Sequence, residues 1–238
     1  MLFAKNNKFI FLMALFLFII AAFYGLFIRI NFVYPIKSFE YNNFVQGHSH
    51  VAFLGWGYIA TIGAILHLFV ANEKRKHRAY NILMFIILVC IVFMLLSFPL
   101  SGYKVFSIAL LAVFGITSYI LSFKLLKDIN GNGVSEKLIK YGIYYYLLSS
   151  LATWFLAGVI VTVGKTDLYY NTVYFYLHFL YNGFFVFALF GILFKIFENQ
   201  HILISKKLQK GFFIYLNVAC IPAFALSILW SQVASVYY

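Results

Sequence analysis

The sequence predicts an all-α integral membrane protein, a bundle of seven transmembrane helices. Three observations predict it. Of 238 residues, 64% are hydrophobic and 10% charged, where a soluble domain is roughly 45–50% apolar and about 25% charged. The apolar residues fall into runs close to the ~20 residues needed to cross a hydrocarbon core. The basic residues gather in alternate breaks between those runs. A soluble fold of this size would leave much of its 22% aromatic content facing water, so lipid is the solvent for most of the chain.

The runs are 9–28, 49–71, 79–99, 105–126, 141–163, 173–194 and 211–236, read as one transmembrane domain over 1–238. The first is too long for the core of a signal peptide, and no small-residue cleavage site follows it, so it is expected to be retained. NEKRKHR at 72–78 separates the second and third, and PLSGYK at 99–104 the third and fourth. KDINGNGVSEKLIK at 127–140 precedes the fifth, GKTDLYYN at 164–171 the sixth, and FENQHILISKKLQK at 197–210 the seventh. All are polar, charged or turn-rich, and none is long enough for a domain. Pro222 is expected to kink the last span. No internal repeat stands out among the Phe- and Leu-rich segments.

Charge sets the expected orientation. Lys5, Lys8, Lys74, Arg75, Lys76, Arg78, Lys124, Lys127, Lys137, Lys140, Lys195, Lys206, Lys207 and Lys210 lie on one side, 14 in all; Arg29, Lys37, Lys104 and Lys165 lie on the other. Basic loops are retained in the cytoplasm, which puts the amino terminus inside and the carboxyl terminus outside a cytoplasmic (inner) membrane. The net charge of +12 thus reads as anchoring rather than nucleic-acid binding. The six acidic residues sit in loops or at their edges, which weighs against ion-coupled transport, since that chemistry places carboxylates at mid-membrane. No phosphate loop, Ser/His/Asp set or CxxC supports soluble-type catalysis. Cys90 and Cys220 read as packing residues. Tyr169, Tyr170, Tyr174, Tyr176, Tyr237 and Tyr238 read as an interfacial aromatic belt, and the stripe Trp154, Gly158, Thr162 as a helix contact.

The histidines carry the chemistry. His67, His77 and His201 fall at cytoplasmic ends or loops, where solvation accounts for them. His48 and His50 open the second span in GHSHVAFLGWGY, and His178 lies five residues into the sixth, a depth of about 7–8 Å at 1.5 Å per residue. All three are expected in one outer layer, and imidazoles inside hydrocarbon usually face the bundle interior and mark function. His48 and His50 differ by about 200° around a helix, so one is a ligand candidate and the other a cap or buttress. Below His50 an α-helix presents Gly57, Thr61 and Ala64, with Phe53 and Leu54 above them. Small residues there admit a flat macrocycle or a neighbouring helix. The His48 face offers Gly55 and Gly63, and which face is used stays open. Asn182, one turn below His178, and Tyr181 beside it are placed to orient that ring; hydrogen bonding to neighbouring helices is the competing reading.

His48, His50, Gly55 and Trp56 form H-x-H-x-x-x-x-G-W, with His67 at the far end of the span. This resembles the second helix of the haem-copper oxidase subunit I superfamily and of smaller haem-binding membrane proteins related to it. The resemblance covers about 20 residues. It implies a low-spin b-type haem held by His50 or His48 and, from a distant helix, by His178, in electron transfer or respiration beside other respiratory membrane subunits. The chain departs from that family in having seven expected spans rather than twelve and no His-His pair, so a complete oxygen-reducing centre is not expected. Two alternatives remain: a copper-handling or oxidase-assembly protein using His48, His50 and His178 on a bare ion, and a transporter or scaffold whose histidines are structural.

Overall fold

The computed structural model describes residues 7–37 and 40–231; Lys5, Tyr237, Tyr238 and the end of the seventh run lie outside them. Among the described residues the regular secondary structure is all helical, with no strand. The helices are α1 (Asn7–Val33), α2 (Tyr41–Phe69), α3 (Arg78–Ser101), α4 (Val105–Asp128), α5 (Val134–Thr162), α6 (Asp167–Asn199) and α7 (Lys206–Cys220). A single turn at Asn72–Arg75 sits between α2 and α3, and another at Phe224–Ser227 follows α7. The first six of these helices are long and apolar enough to cross a bilayer, as a multi-pass membrane protein requires. Helices are forced on such segments because hydrocarbon offers the backbone no other hydrogen-bond partner.

The expected seventh span takes a different form. Helix α7 ends at Cys220, and Pro222, which lacks the N–H that would continue the ladder, leads into a short turn of helix instead. The second and sixth spans also start earlier than their apolar runs. Helix α2 begins at Tyr41 and α6 at Asp167, because polar residues at a helix end continue the helix until a cap or turn stops it. His50 and His178 are consequently nine and eleven residues from the starts of their helices, about 14 and 16 Å along them.

Both helices contain a π-helical segment, Val51–Gly57 in α2 and Phe179–Phe185 in α6, each starting directly after a histidine. A π-turn takes an extra residue and so moves everything beyond it by about one α-helical position, roughly 100°. Gly57, Thr61 and Ala64 therefore do not stand below His50. Tyr58, Ile62 and Ile65 take those places, and all three are fully buried.

The chain divides into two compact units, residues 1–128 and 129–238. In the first, α1 lies along α2, and α3 packs on α2 and α4. The buried stripe of α1 is Ile10, Ala14, Leu17 and Ala21, while Phe11, Leu12, Leu15 and Phe16 face outward, an arrangement that suits lipid. Close approach depends on glycines: a Cβ on Gly55 would come within 3.6 Å of Leu17, and one on Gly63 within 2.6 Å of Ile10. Gly102, at φ +60°, makes the α3–α4 turn, where any side chain would meet Asn43. In the second unit α5 lies along α6, and α7 packs on both. Its core joins Leu138 and Tyr145 of α5, Phe179, Phe187 and Phe194 of α6, and Cys220. Trp154 and Gly158 face outward, with nothing within 4 Å of a Cβ on Gly158. The expected stripe thus makes no helix contact at Gly158 among the described residues.

Two carboxylates that a linear reading assigns to loops are buried at helix ends. Asp128 accepts a hydrogen bond from Tyr80 at 2.8 Å and pairs with Lys124 at 2.9 Å and Lys74 at 3.5 Å. Glu136 pairs with Lys195 at 2.8 Å, and Lys195 also reaches Glu198, which accepts from Ser135. Burial without such partners would be costly.

Candidate functional site

Helix α2 continues unbroken through Tyr41–His50, so His48 and His50 point to different neighbours. The Nδ1–H of His48 donates to the Ala21 carbonyl at 2.8 Å. Its ring lies on α1 in a notch made by Gly25, where an added Cβ would stand 3.2 Å from Cε1 and 4.0 Å from Nε2. The His50 ring turns toward the end of α3 and stacks on Phe98 at 4.2 Å between centroids, 14° from parallel. Its Nδ1–H donates back to the Gln46 carbonyl at 2.7 Å, and its Nε2 faces the Tyr103 hydroxyl at 3.4 Å. A carbonyl can only accept, so the proton is on Nδ1 and Nε2 carries the electron pair.

His178 is built the other way round. It is almost fully buried, and its Nε2–H donates to the Cys220 carbonyl at 2.8 Å. Its Nδ1 accepts from the Asn182 amide at 3.1 Å, with the Ser227 hydroxyl at 3.4 Å. Both nitrogens are engaged. Phe179 and Phe224 stand edge-on to the ring. Asn182 is therefore the partner of His178 in hydrogen-bond terms, and Tyr181 stays at the unit's outer surface beside Phe185.

Comparison with family models, curated proteins and solved structures gives no match.

No group of three or more His, Cys, Asp or Glu side chains able to hold a metal ion gathers among the described residues. Gly57 and Thr61 are half-buried and displaced from the His50 column by the π-turn. The remaining histidines serve local structure. His67 takes Arg75 on its Nδ1 at 3.1 Å and on its carbonyl at 3.2 Å. His77 caps α3 by accepting from the Ala79 N–H, and His201 occupies a turn at φ +56°. Sequence reasoning missed Phe98 and Tyr103, the two rings that frame His50. Their signal was available only as aromatic residues beside and within the PLSGYK turn, and nothing in linear order ties that turn to His50.

Proposed function

We propose that this chain is a seven-span membrane protein, amino terminus in the cytoplasm and carboxyl terminus outside, that holds a b-type haem near the outer face through His50 and serves electron transfer or respiration. One observation carries the reading. Gln46 fixes the His50 tautomer so that Nε2 presents its electron pair, the arrangement in which a histidine ligates iron, and the neighbour at Nε2 is the half-exposed Tyr103 side chain, which can turn aside. His48 shares the tautomer, but its ring packs on α1 at Gly25, with Nε2 4.0 Å from where a Cβ there would stand, which leaves little room for a macrocycle. The partial resemblance of His48, His50, Gly55 and Trp56 to the second helix of haem-copper oxidase subunit I supports the same assignment. A bare copper or zinc ion is the weaker reading, because it takes three or four protein donors whereas haem iron takes one or two.

The test is an absorption spectrum of detergent-purified protein from haem-sufficient cells. The expected result is a reduced-minus-oxidised difference spectrum of b type, lost in His50→Ala and retained in His48→Ala, His67→Ala, His77→Ala and His201→Ala. Colourless protein carrying stoichiometric copper or zinc would replace haem with the metal reading. Protein with neither would leave the histidines structural.

A further inference from the structure

A shift of 128 residues carries Val51–Gly57 onto Phe179–Phe185, the two π-helical segments, end for end. The same shift carries Asn7–Val33 onto 135–161, against an observed Val134–Thr162 for α5. It carries Tyr41–Phe69 onto 169–197, inside Asp167–Asn199, and Arg78–Ser101 onto 206–229, the stretch holding α7 and the turn after it. π-Helix is rare, well under 1% of residues, so two segments of equal length in register are strong evidence of common construction.

Side chains agree with the backbone. Within 41–69 eight of 29 positions are identical after the shift, among them His50 with His178, Gly55 with Gly183, Gly63 with Gly191 and Asn43 with Asn171. Composition alone would match far fewer. The buried stripe of α1, Ile10, Ala14, Leu17 and Ala21, maps onto Leu138, Gly142, Tyr145 and Ser149 of α5, all buried. Packing is conserved too. A Cβ on Gly55 would approach Leu17, and one on Gly183 would come within 2.5 Å of Tyr145, the counterpart of Leu17. In each unit the histidine turns to the third helix or the turn that extends it: His50 to Phe98, His178 to Cys220 and Ser227.

We propose that the chain is a tandem duplication of one three-helix module, whose second helix opens into a π-turn after a histidine, and that the two copies of that histidine have diverged. His50 keeps its Nε2 electron pair for a transition-metal centre such as haem iron, while His178 pins α6 to the following helix. The assignment of His50 rests on the proposed function; that of His178 does not. The divergence has two parts: the Cys220 carbonyl takes the Nε2–H of His178 where the Gln46 carbonyl takes the Nδ1–H of His50, and one substitution fills the nitrogen left over. Leu54 in the first module, an apolar residue unable to donate, corresponds to Asn182 in the second, whose amide fills the second nitrogen of His178. A π-turn is often found at a functional site; here one copy serves a ligand and the other serves the fold.

The experiment pairs thermal unfolding in detergent with titration of purified protein by hemin, using wild type, His50→Ala, His178→Ala and Asn182→Leu, the last installing the residue of the first module. His178→Ala, which loses the buried hydrogen bond to the Cys220 carbonyl, is expected to lower Tm by roughly 3–8 °C; Asn182→Leu, which loses only the part-buried bond from an exposed amide, is expected to lower it by less and still to bind one hemin. His50→Ala is expected to lose hemin with a smaller change in Tm. If His178→Ala is too unstable to purify, Asn182→Leu carries the test alone. An unchanged Tm in Asn182→Leu overturns the pin, as does His178→Ala that loses hemin at wild-type Tm. If wild-type protein takes up no hemin, the proposed function fails, and the Tm comparison still decides the role of His178.

Discussion

At the scale of single residues, the glycines show how space rather than residue type decides a role. Gly183 and Gly158 both lie inside helices, and in an open helix either would be improved by alanine, which restricts the unfolded chain, by about 0.5–1 kcal/mol. Around Gly183, however, an added Cβ would sit 2.5 Å from the Cβ of Tyr145, whereas around Gly158 it meets nothing within 4 Å. Overpacking of that kind costs typically 1–3 kcal/mol and outweighs the gain. Gly183→Ala is therefore expected to lower the detergent melting temperature, and Gly158→Ala to leave it unchanged or raise it slightly. Equal effects at the two positions would show that α6 does not approach α5 as described. The histidines make the same point in polar chemistry. Three imidazoles read alike in the sequence, yet a carbonyl on Nδ1 leaves Nε2 its electron pair in His48 and His50, and a carbonyl on Nε2 with an amide on Nδ1 leaves His178 none.

At the scale of the element, the π-turns are the departure from regular geometry with most consequence. Each stores one residue more than an α-helix of the same length needs, so removing a residue there lets the turn close as α-helix while the flanking halves keep their faces. Deleting Phe53 is accordingly expected to preserve a folded, monodisperse protein in which Gly63 still meets Ile10, and deleting its counterpart Tyr181 to behave the same way. Deleting Val89 from α3, an uninterrupted α-helix, turns one half against the other by about 100° and is expected to abolish recovery of folded protein. Size-exclusion profiles of the three variants make the comparison. Comparable loss in all three would mean the π-turns hold no slack.

At the scale of the whole molecule, the proposed orientation rests on charge. If seven spans alternate as proposed, 14 basic residues fall on one side and 4 on the other, and a reporter active only outside the cytoplasm is expected to work when fused at the carboxyl terminus and to be silent when inserted in the 127–140 loop. The reverse pattern would move His50 to the inner side. A carboxyl-terminal reporter that stays silent, together with a silent loop insertion, would mean that the segment after Pro222 does not cross, leaving the six helices long and apolar enough to do so.

What the sequence determined by itself is what depends on composition and linear spacing: helices, apolar segments suited to lipid, and the approximate position of six candidate spans. These were legible because burial in hydrocarbon taxes every residue in the same way, wherever its neighbours come from. The tertiary structure decided which partner each polar group meets. Cys220 lies 42 residues from His178 and Tyr103 lies 53 from His50, and no local pattern signals such pairs. The π-turns were equally hidden, since an extra residue changes no propensity and shows only in which face is buried. They also concealed the repeat. Phe and Leu interchange freely on lipid-facing positions, which erases identity there, whereas packed positions such as the histidine and the two glycines are held by sterics and hydrogen bonding.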